Sequence, residues 1–311
     1  MSETAGPEMM AQIKSQGGVS PFLIPLHLYG DLIKGKQTFL MIYTALFAYL
    51  ISSWPKRVNG DQLMGLVVGL FLAISGSTLL NMFIDRDIDG QMDRTKCRPL
   101  PSGQVSPSAA LTHGILLTTT GILLTGFFVN VTTMIVVFFG FFFDVVVYSL
   151  WLKRRTRVSI IFGGIAGGLP ALAGRTAAVD KIDLIGIFIL LFVLCWIPLH
   201  ILTLALIPSN FEGYIRAEIP MWPVVAGETQ TMRVITISAF LDAAAIIATA
   251  ILLEVHPLVL ILIAVLSSFL SFLSLTNLRQ PSERITFQIF KFASIFMALA
   301  FVLLFVGVAI A

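Results

Sequence analysis

The chain has 311 residues, of which 57% are hydrophobic and 12% charged, with 25 Phe and a formal net charge of +3; its mean hydropathy is +0.93. So few charged side chains cannot cover a water-facing globule of 34.0 kDa, which excludes a soluble enzyme, a disordered chain and a free nucleic-acid binder and leaves a membrane protein, whose long apolar runs make it all-α and polytopic. The small positive excess implies no nucleic-acid partner, and two cysteines, Cys97 in a polar segment and Cys195 in an apolar one, make no disulfide framework.

Met1 to Ser20 hold one Lys, no Arg and two Glu, unlike a mitochondrial transit peptide, and lack the apolar run of a signal peptide. Residues 1–36 therefore read as a cytosolic arm and interfacial segment, and 37–311 as a single membrane domain. With about 20 apolar residues per span, spans are expected at 37–54, 62–83, 108–128, 131–151, 158–178, 183–207, 232–253, 255–276 and 287–309, nine helices around a central cavity open to the cytosolic side. With the N-terminus cytosolic, every Lys and Arg except Lys56, Arg57, Arg175 and Lys181 falls on the cytosolic face. That bias orients a multi-pass plasma-membrane protein with its C-terminus outside.

The second span ends in Asn81, Asp85 and Asp89, with Asp93 beyond. Spacing of four sets these oxygens along one helix face, about 40° apart per step. Such a row suits Mg²⁺, which takes one or two carboxylates, waters and substrate phosphate oxygens. Behind it stand Arg94, Lys96 and Arg98, suited to grip phosphate oxygens. An acid row with a basic cluster at a membrane mouth reads as a Mg²⁺-diphosphate site; the alternative is a helix end that merely anchors at the interface.

Three intramembrane ionisable groups, His113, Asp144 and His200, are expected at a common depth, within about 7–11 Å of the cytosolic surface. Such groups are costly in lipid and are functional or paired, so Asp144 and one histidine are candidates for placing a substrate or relaying a proton. Asp242, near the middle of the seventh span, reads as a helix-packing hydrogen-bond partner. A cation transporter built on Asn81, Asp85 and Asp89 is a rival reading, although transporters place such groups at the midplane on broken helices.

The pattern N-x-x-x-D-x-x-x-D followed by Arg98-Pro99-Leu100-Pro101-Ser102-Gly103 resembles the first signature of the UbiA superfamily of intramembrane prenyltransferases. Asp85-Arg86-Asp87-Ile88-Asp89, the run Tyr148 to Thr156, and Ile219-Pro220-Met221 resemble its protoheme IX farnesyltransferase family more than the quinone-precursor enzymes. The likeness covers about Lys34 to Gly227. It implies transfer of a farnesyl or longer prenyl group from its diphosphate to a vinyl group of haem b, with addition of water. Implied partners are haem b, the prenyl diphosphate, membrane lipid, and haem A synthase or a terminal-oxidase assembly. Prenylation of a quinone precursor, aromatic acid or glycerol phosphate stays open.

Carried onto this chain, the resemblance makes Asp85, Asp89, Lys153 and Asp144 the catalytic candidates. Lys34, Lys153 and Arg154 join Arg94, Lys96 and Arg98 on the diphosphate, and Glu212 joins Asn81, Asp85 and Asp89 on Mg²⁺. Tyr148, Trp196 and His200 become candidate haem contacts, His200 either as an axial ligand or as a core histidine satisfied by a carbonyl. The family's second acidic site has two adjacent acids before a Tyr. Here Glu212 is followed by Gly213 and Tyr214, which puts a symmetric second metal site in doubt.

Overall fold

A computed structural model describes residues 23–56, 58–93 and 95–311; most of the expected N-terminal arm, together with Arg57 and Arg94, lies outside these. A short helical turn at Leu26–Leu28 and Tyr29–Leu32 leads into α1 (Gly35–Ser53), α2 (Gly60–Asp89), α3 (Pro107–Phe128) and α4 (Val131–Leu152). There follow α5 (Ser159–Val179), α6 (Leu184–Ala205), the short α7 (Pro208–Arg216), α8 (Trp222–Leu252), α9 (Pro257–Arg279) and α10 (Glu283–Ala309). Among the described residues there is no strand.

Helix starts follow their capping chemistry. The Asn59 side chain accepts from the N–H groups of Asp61 and Gln62 at α2, and Ser106 accepts from Ala109 N at α3, with Pro107 next to it. Asn130 accepts from Thr133 N at α4, and Asp183 accepts from Gly186 N at α6.

Eight helices, α2 to α6 and α8 to α10, are long and apolar enough to cross a membrane, with mean hydropathies from 1.2 to 2.7. The protein is thus multi-pass. The expected first span corresponds to α1, which forms but stays outside this set of eight. It opens on Gly35-Lys36-Gln37 and buries Thr38, Thr44, Tyr49 and Ser53 against its neighbours. A helix enclosed by other helices can carry polar groups that lipid would exclude.

Three departures from the expected spans shape the site. Helix α2 runs unbroken to Asp89, keeping Asn81, Asp85 and Asp89 on one continuous helix. Helix α4 changes from α to π winding at Phe142–Leu152, a local feature that recurs at functional sites. Helix α8 begins at Trp222 and breaks at Gly227, whose φ of 76° suits only glycine.

Among the described residues three apolar clusters hold the bundle; the smallest packs the turn before α1 against α2 and α3, and the other two flank its centre. One joins α6, α8, α9 and α10 through Phe192, Leu199, Ile235, Ile263, Phe296 and Phe301. The other joins α1, α2, α4 and α5 through Tyr49, Leu66, Leu70, Val137 and Leu169. Small residues allow close contact between α2 and α3. A Cβ on Gly76 would lie 2.4 Å from Thr118 N, and one on Gly121 would lie 2.4 Å from Ala73 N.

Candidate active site

A cavity of about 450 Å³ lies between the two larger clusters, lined from α1, α2, α4, α5, α6 and α10. Its walls are largely apolar, with Leu40, Met41, Leu70, Val137, Val193 and Met297 among them. The polar exceptions are Lys36, Gln37, Thr44, Ser77, Asp144, Tyr148, Trp196 and His200. Lys36 and Gln37, at the start of α1, mark the rim. Stepping down α2 by fours, Asp89, Asp85 and Asn81 are followed by Ser77 and Ala73, which line the cavity. One helix face therefore runs from carboxylates to apolar wall.

Above the cavity the acids are held by cations from other segments. Lys153, just past the π-wound end of α4, donates to Asp85 Oδ2, and Arg98 Nη1 donates to Asp89 Oδ2 at 2.7 Å. Thr95 Oγ1 donates to the Asp89 carbonyl at 2.8 Å, fixing the loop after α2 to the helix end. Asn81 Nδ2 donates to Asp144 Oδ2 at 2.7 Å, joining the acid row to the cavity wall. Two oxygens in this assembly, Asn81 Oδ1 and Asp85 Oδ1, are buried without a hydrogen-bond partner. Buried orphan oxygens are uncommon, and a pair of them one helical turn apart suits a hard cation that takes few protein ligands and fills its shell with water and phosphate oxygens.

The predicted phosphate-gripping cations divide into two groups. Burial pushes the Lys34 ammonium pKa down to about 8, and the positive charges of Arg98 and Lys153 lower it as well. Its backbone is left-handed, φ 46°, a strained conformation for a residue with a Cβ. It precedes α1, whose Thr38 Oγ1 donates back to Ile33 O at 2.6 Å. These three cations form a cluster able to hold a polyanion. Lys96 instead bonds Asp93 at 2.9 Å, and Arg154 clasps Asp87 at 2.6 and 2.7 Å, both on the exposed surface. Arg94 lies outside the described residues.

Glu212 is exposed on α7. That helix is tied to the loop after α2 by Arg216, which donates to Asp93 Oδ2 at 2.5 Å. Lys96 and Arg216 together hold the Asp93 carboxyl below its usual range. Among the described residues, no three His, Cys, Asp or Glu side chains converge as a metal cluster, so Glu212 does not join Asp85 and Asp89 in one.

On the far wall, His200 stacks between Trp196, centroids 4.4 Å apart, and Phe290 at 4.6 Å. Its Nδ1 lies 3.3 Å from Ser294 Oγ, and Trp196 Nε1 donates to Ala293 O at 2.8 Å. Tyr148 lines the cavity with its ring 5.8 Å from Lys153 Nζ. The expected shared pocket forms for Asp144 and His200 but excludes His113, which bonds Ala109 O at 2.9 Å and packs edge-on against Tyr29. One turn after its own carbonyl partner, that imidazole is satisfied locally. Asp242 is fully buried and both its oxygens lack a partner, so the expected packing hydrogen bond does not form. Sequence reasoning missed Lys36, Gln37 and Ser77; for Ser77 the signal was the continuation of the four-residue step below Asn81.

A helical membrane bundle with a carboxylate and cation mouth over an apolar chamber is the architecture of an enzyme for amphiphilic diphosphates. The pattern of the UbiA prenyltransferase family matches residues 41–299. A protoheme IX farnesyltransferase from Korarchaeum cryptofilum is 40% identical over 277 residues, 86% of this chain and 91% of its own. One from Archaeoglobus fulgidus is 36% identical over 281 residues, 89% of this chain and 96% of its own. Among solved structures, digeranylgeranylglyceryl phosphate synthase superposes with a TM-score of 0.77 at 21% identity, covering 92% of this chain and 99% of that one. A UbiA homologue from Archaeoglobus fulgidus bound to GPP and Mg²⁺ gives 0.66 at 15% identity, covering 89% and 99%. The chain belongs to the UbiA prenyltransferase family and is a membrane prenyltransferase.

Proposed function

We propose that this enzyme transfers a farnesyl group from farnesyl diphosphate to a vinyl group of haem b, with addition of water, in the formation of haem O. The observation that carries the reading is the succession of a cationic and carboxylate mouth, the Asn81–Asp144 link and an apolar cavity with an aromatic-sandwiched histidine. The relatives that share most of its length are protoheme IX farnesyltransferases, which supports haem as the acceptor.

Lys34, Arg98 and Lys153 hold the diphosphate, with Lys96 and Arg154 around the entrance; Arg94 is a further diphosphate-binding residue by sequence alone. As the bond between the allylic carbon and the diphosphate oxygen breaks, the electron pair leaves with the diphosphate. These cations stabilise that developing charge, and the dry apolar chamber shields the carbocation from premature capture by water. Mg²⁺, held by Asn81, Asp85 and Asp89 with Glu212 serving a second ion, would supply further charge neutralisation on the leaving group. The vinyl group attacks the allylic carbon and forms a carbon–carbon bond. Water then adds to the resulting cation, and Asp144 takes the proton it releases.

Trp196, His200 and Tyr148 orient the porphyrin, and His200 contacts the iron, which is cargo and undergoes no redox change. The chain sits in the plasma membrane with its N-terminus and this mouth cytosolic, as the distribution of Lys and Arg favours. Its cytosolic surface meets haem A synthase or a terminal-oxidase assembly.

Purified protein incubated with haem b, farnesyl diphosphate and Mg²⁺ should yield a haem heavier by a farnesyl group plus water, absent with Asp85→Ala, as read by mass spectrometry. Diphosphate release only when 4-hydroxybenzoate or a glycerol phosphate replaces haem would overturn the acceptor and leave the prenyltransferase chemistry standing.

A further inference from the structure

At the end of the bundle opposite the carboxylates, a second cavity of about 420 Å³ opens between the last turns of α1 and α5, the first turn of α2, and the α1–α2 and α5–α6 loops. Helix α5 is 21 residues long, so this cavity lies about 30 Å from the prenyl-transfer mouth, at the other membrane face. It shares no lining residue with the first cavity. Between the two, α1 and α5 touch so closely that a Cβ on Gly174 would sit 2.0 Å from Ala45 O.

The lining is polar and positive. Arg175 is only 8% exposed and spends Nε and Nη2 on Asp183, at 3.2 and 2.6 Å, which leaves Nη1 as a further donor. Asp183 is fully engaged, since it also accepts from Gly186 N at 3.0 Å. Lys56 and Lys181 flank the opening, exposed, and among the described residues neither has an ion-pair partner. The nearby acids Asp61 and Asp180 do not line it. Ser52, also in the wall, has a buried Oγ with no partner. Donors outnumber acceptors, which is the chemistry of an oxyanion site. Beside the opening, Trp54, Ile182 and Leu184 are 47%, 54% and 56% exposed. At a membrane–water boundary such side chains lie among acyl chains, with Trp at headgroup level.

We propose that this cavity binds the phosphate of an anionic phospholipid, with Lys56, Lys181 and Arg175 around the headgroup and the acyl chains running over Trp54, Ile182 and Leu184. The adjoining apolar surface favours a lipid over a free phosphate ion. The inference stands apart from the identity of the prenyl acceptor.

The test uses the full chain in detergent, titrated with phosphatidylglycerol, phosphatidylcholine or inorganic phosphate and followed by native mass spectrometry and by the thermal midpoint. Phosphatidylglycerol should bind and raise the midpoint. Lys56→Gln with Lys181→Gln should weaken that binding about 25-fold, a factor of about five per lysine. An equal charge change at the other face, Arg279→Gln with Arg284→Gln, should leave it unaltered. Undiminished lipid binding in the Lys56 and Lys181 variant, equal binding of phosphatidylcholine, or an equal midpoint rise from inorganic phosphate would each overturn the proposal.

Discussion

Lys153 and Asp85 form an ion pair between α4 and α2, directly above the Asn81–Asp144 hydrogen bond that joins the same two helices. Both side chains are mostly shielded from solvent, 18% and 9% exposed, so removing one charge strands the other in a poor dielectric. Lys153→Met should lower the thermal midpoint as well as the rate. Asp85→Asn keeps volume and removes the carboxylate proposed to hold Mg²⁺, and its turnover should fall at least about 100-fold. A rate assay over a Mg²⁺ titration checks this: a loss recovered in full at high Mg²⁺ would mean that Asp85 only binds the ion and does not position it.

Lys34 should impose a pH dependence on diphosphate capture. With a pKa of about 8, its ammonium is charged below pH 8 and lost above it. The KM for the prenyl diphosphate should therefore rise as pH passes 8, while kcat, measured with the anion already bound, moves less. Lys34→Arg should flatten that rise, because a guanidinium keeps its proton.

The same residue carries a stability cost of opposite sign to its use. Its pKa drops from 10.5 unfolded to about 8 folded, so the folded state is penalised in full below pH 8 and is relieved as pH climbs from 8 to 10.5. Left-handed backbone at Lys34 adds to this cost. Lys34→Gly removes both, so it should raise the thermal midpoint at pH 7 while raising the KM for the diphosphate. A fall in both midpoint and affinity would show that Lys34 holds the fold together.

The acid row was legible in the sequence because residues at every fourth position of a helix share a face, and α2 continues as a helix through Asp89. Which cations serve them was not legible. Arg98, Lys96 and Arg154 are alike in sequence, but the hydrogen bond from Thr95 to the Asp89 carbonyl turns Arg98 inward, and Asp93 and Asp87 draw Lys96 and Arg154 to the surface. The spans were found by hydropathy, with α1 the weakest signal because its neighbours shield its polar side chains. Depth alone misled for His113, which sits level with Asp144 in the count of turns but faces Tyr29. Hydropathy carries no azimuth for a lone polar residue.

Asp144 is tied to Asn81 through one oxygen and lines the cavity. Asp144→Asn preserves size and replaces a proton acceptor with an amide. If Asp144 takes the proton released on water addition, prenyl transfer should slow and the fraction of hydroxylated product should fall, both read by mass spectrometry. Unchanged turnover and product ratio would reduce Asp144 to a packing partner.

His200 is held flat between Trp196 and Phe290, with Ser294 beside Nδ1. That sandwich restricts rotation of the ring, so the imidazole meets a substrate in one orientation. His200→Phe keeps the aromatic stack and removes the nitrogens; if His200 contacts haem iron, the Soret band of bound haem b should shift and haem affinity should drop about tenfold, with the KM for farnesyl diphosphate unchanged. His200→Ala opens the stack, so it should also loosen α6 against α10 and lower the thermal midpoint. An unchanged Soret band in His200→Phe, with haem affinity intact, would leave the ring as packing between Trp196 and Phe290 alone.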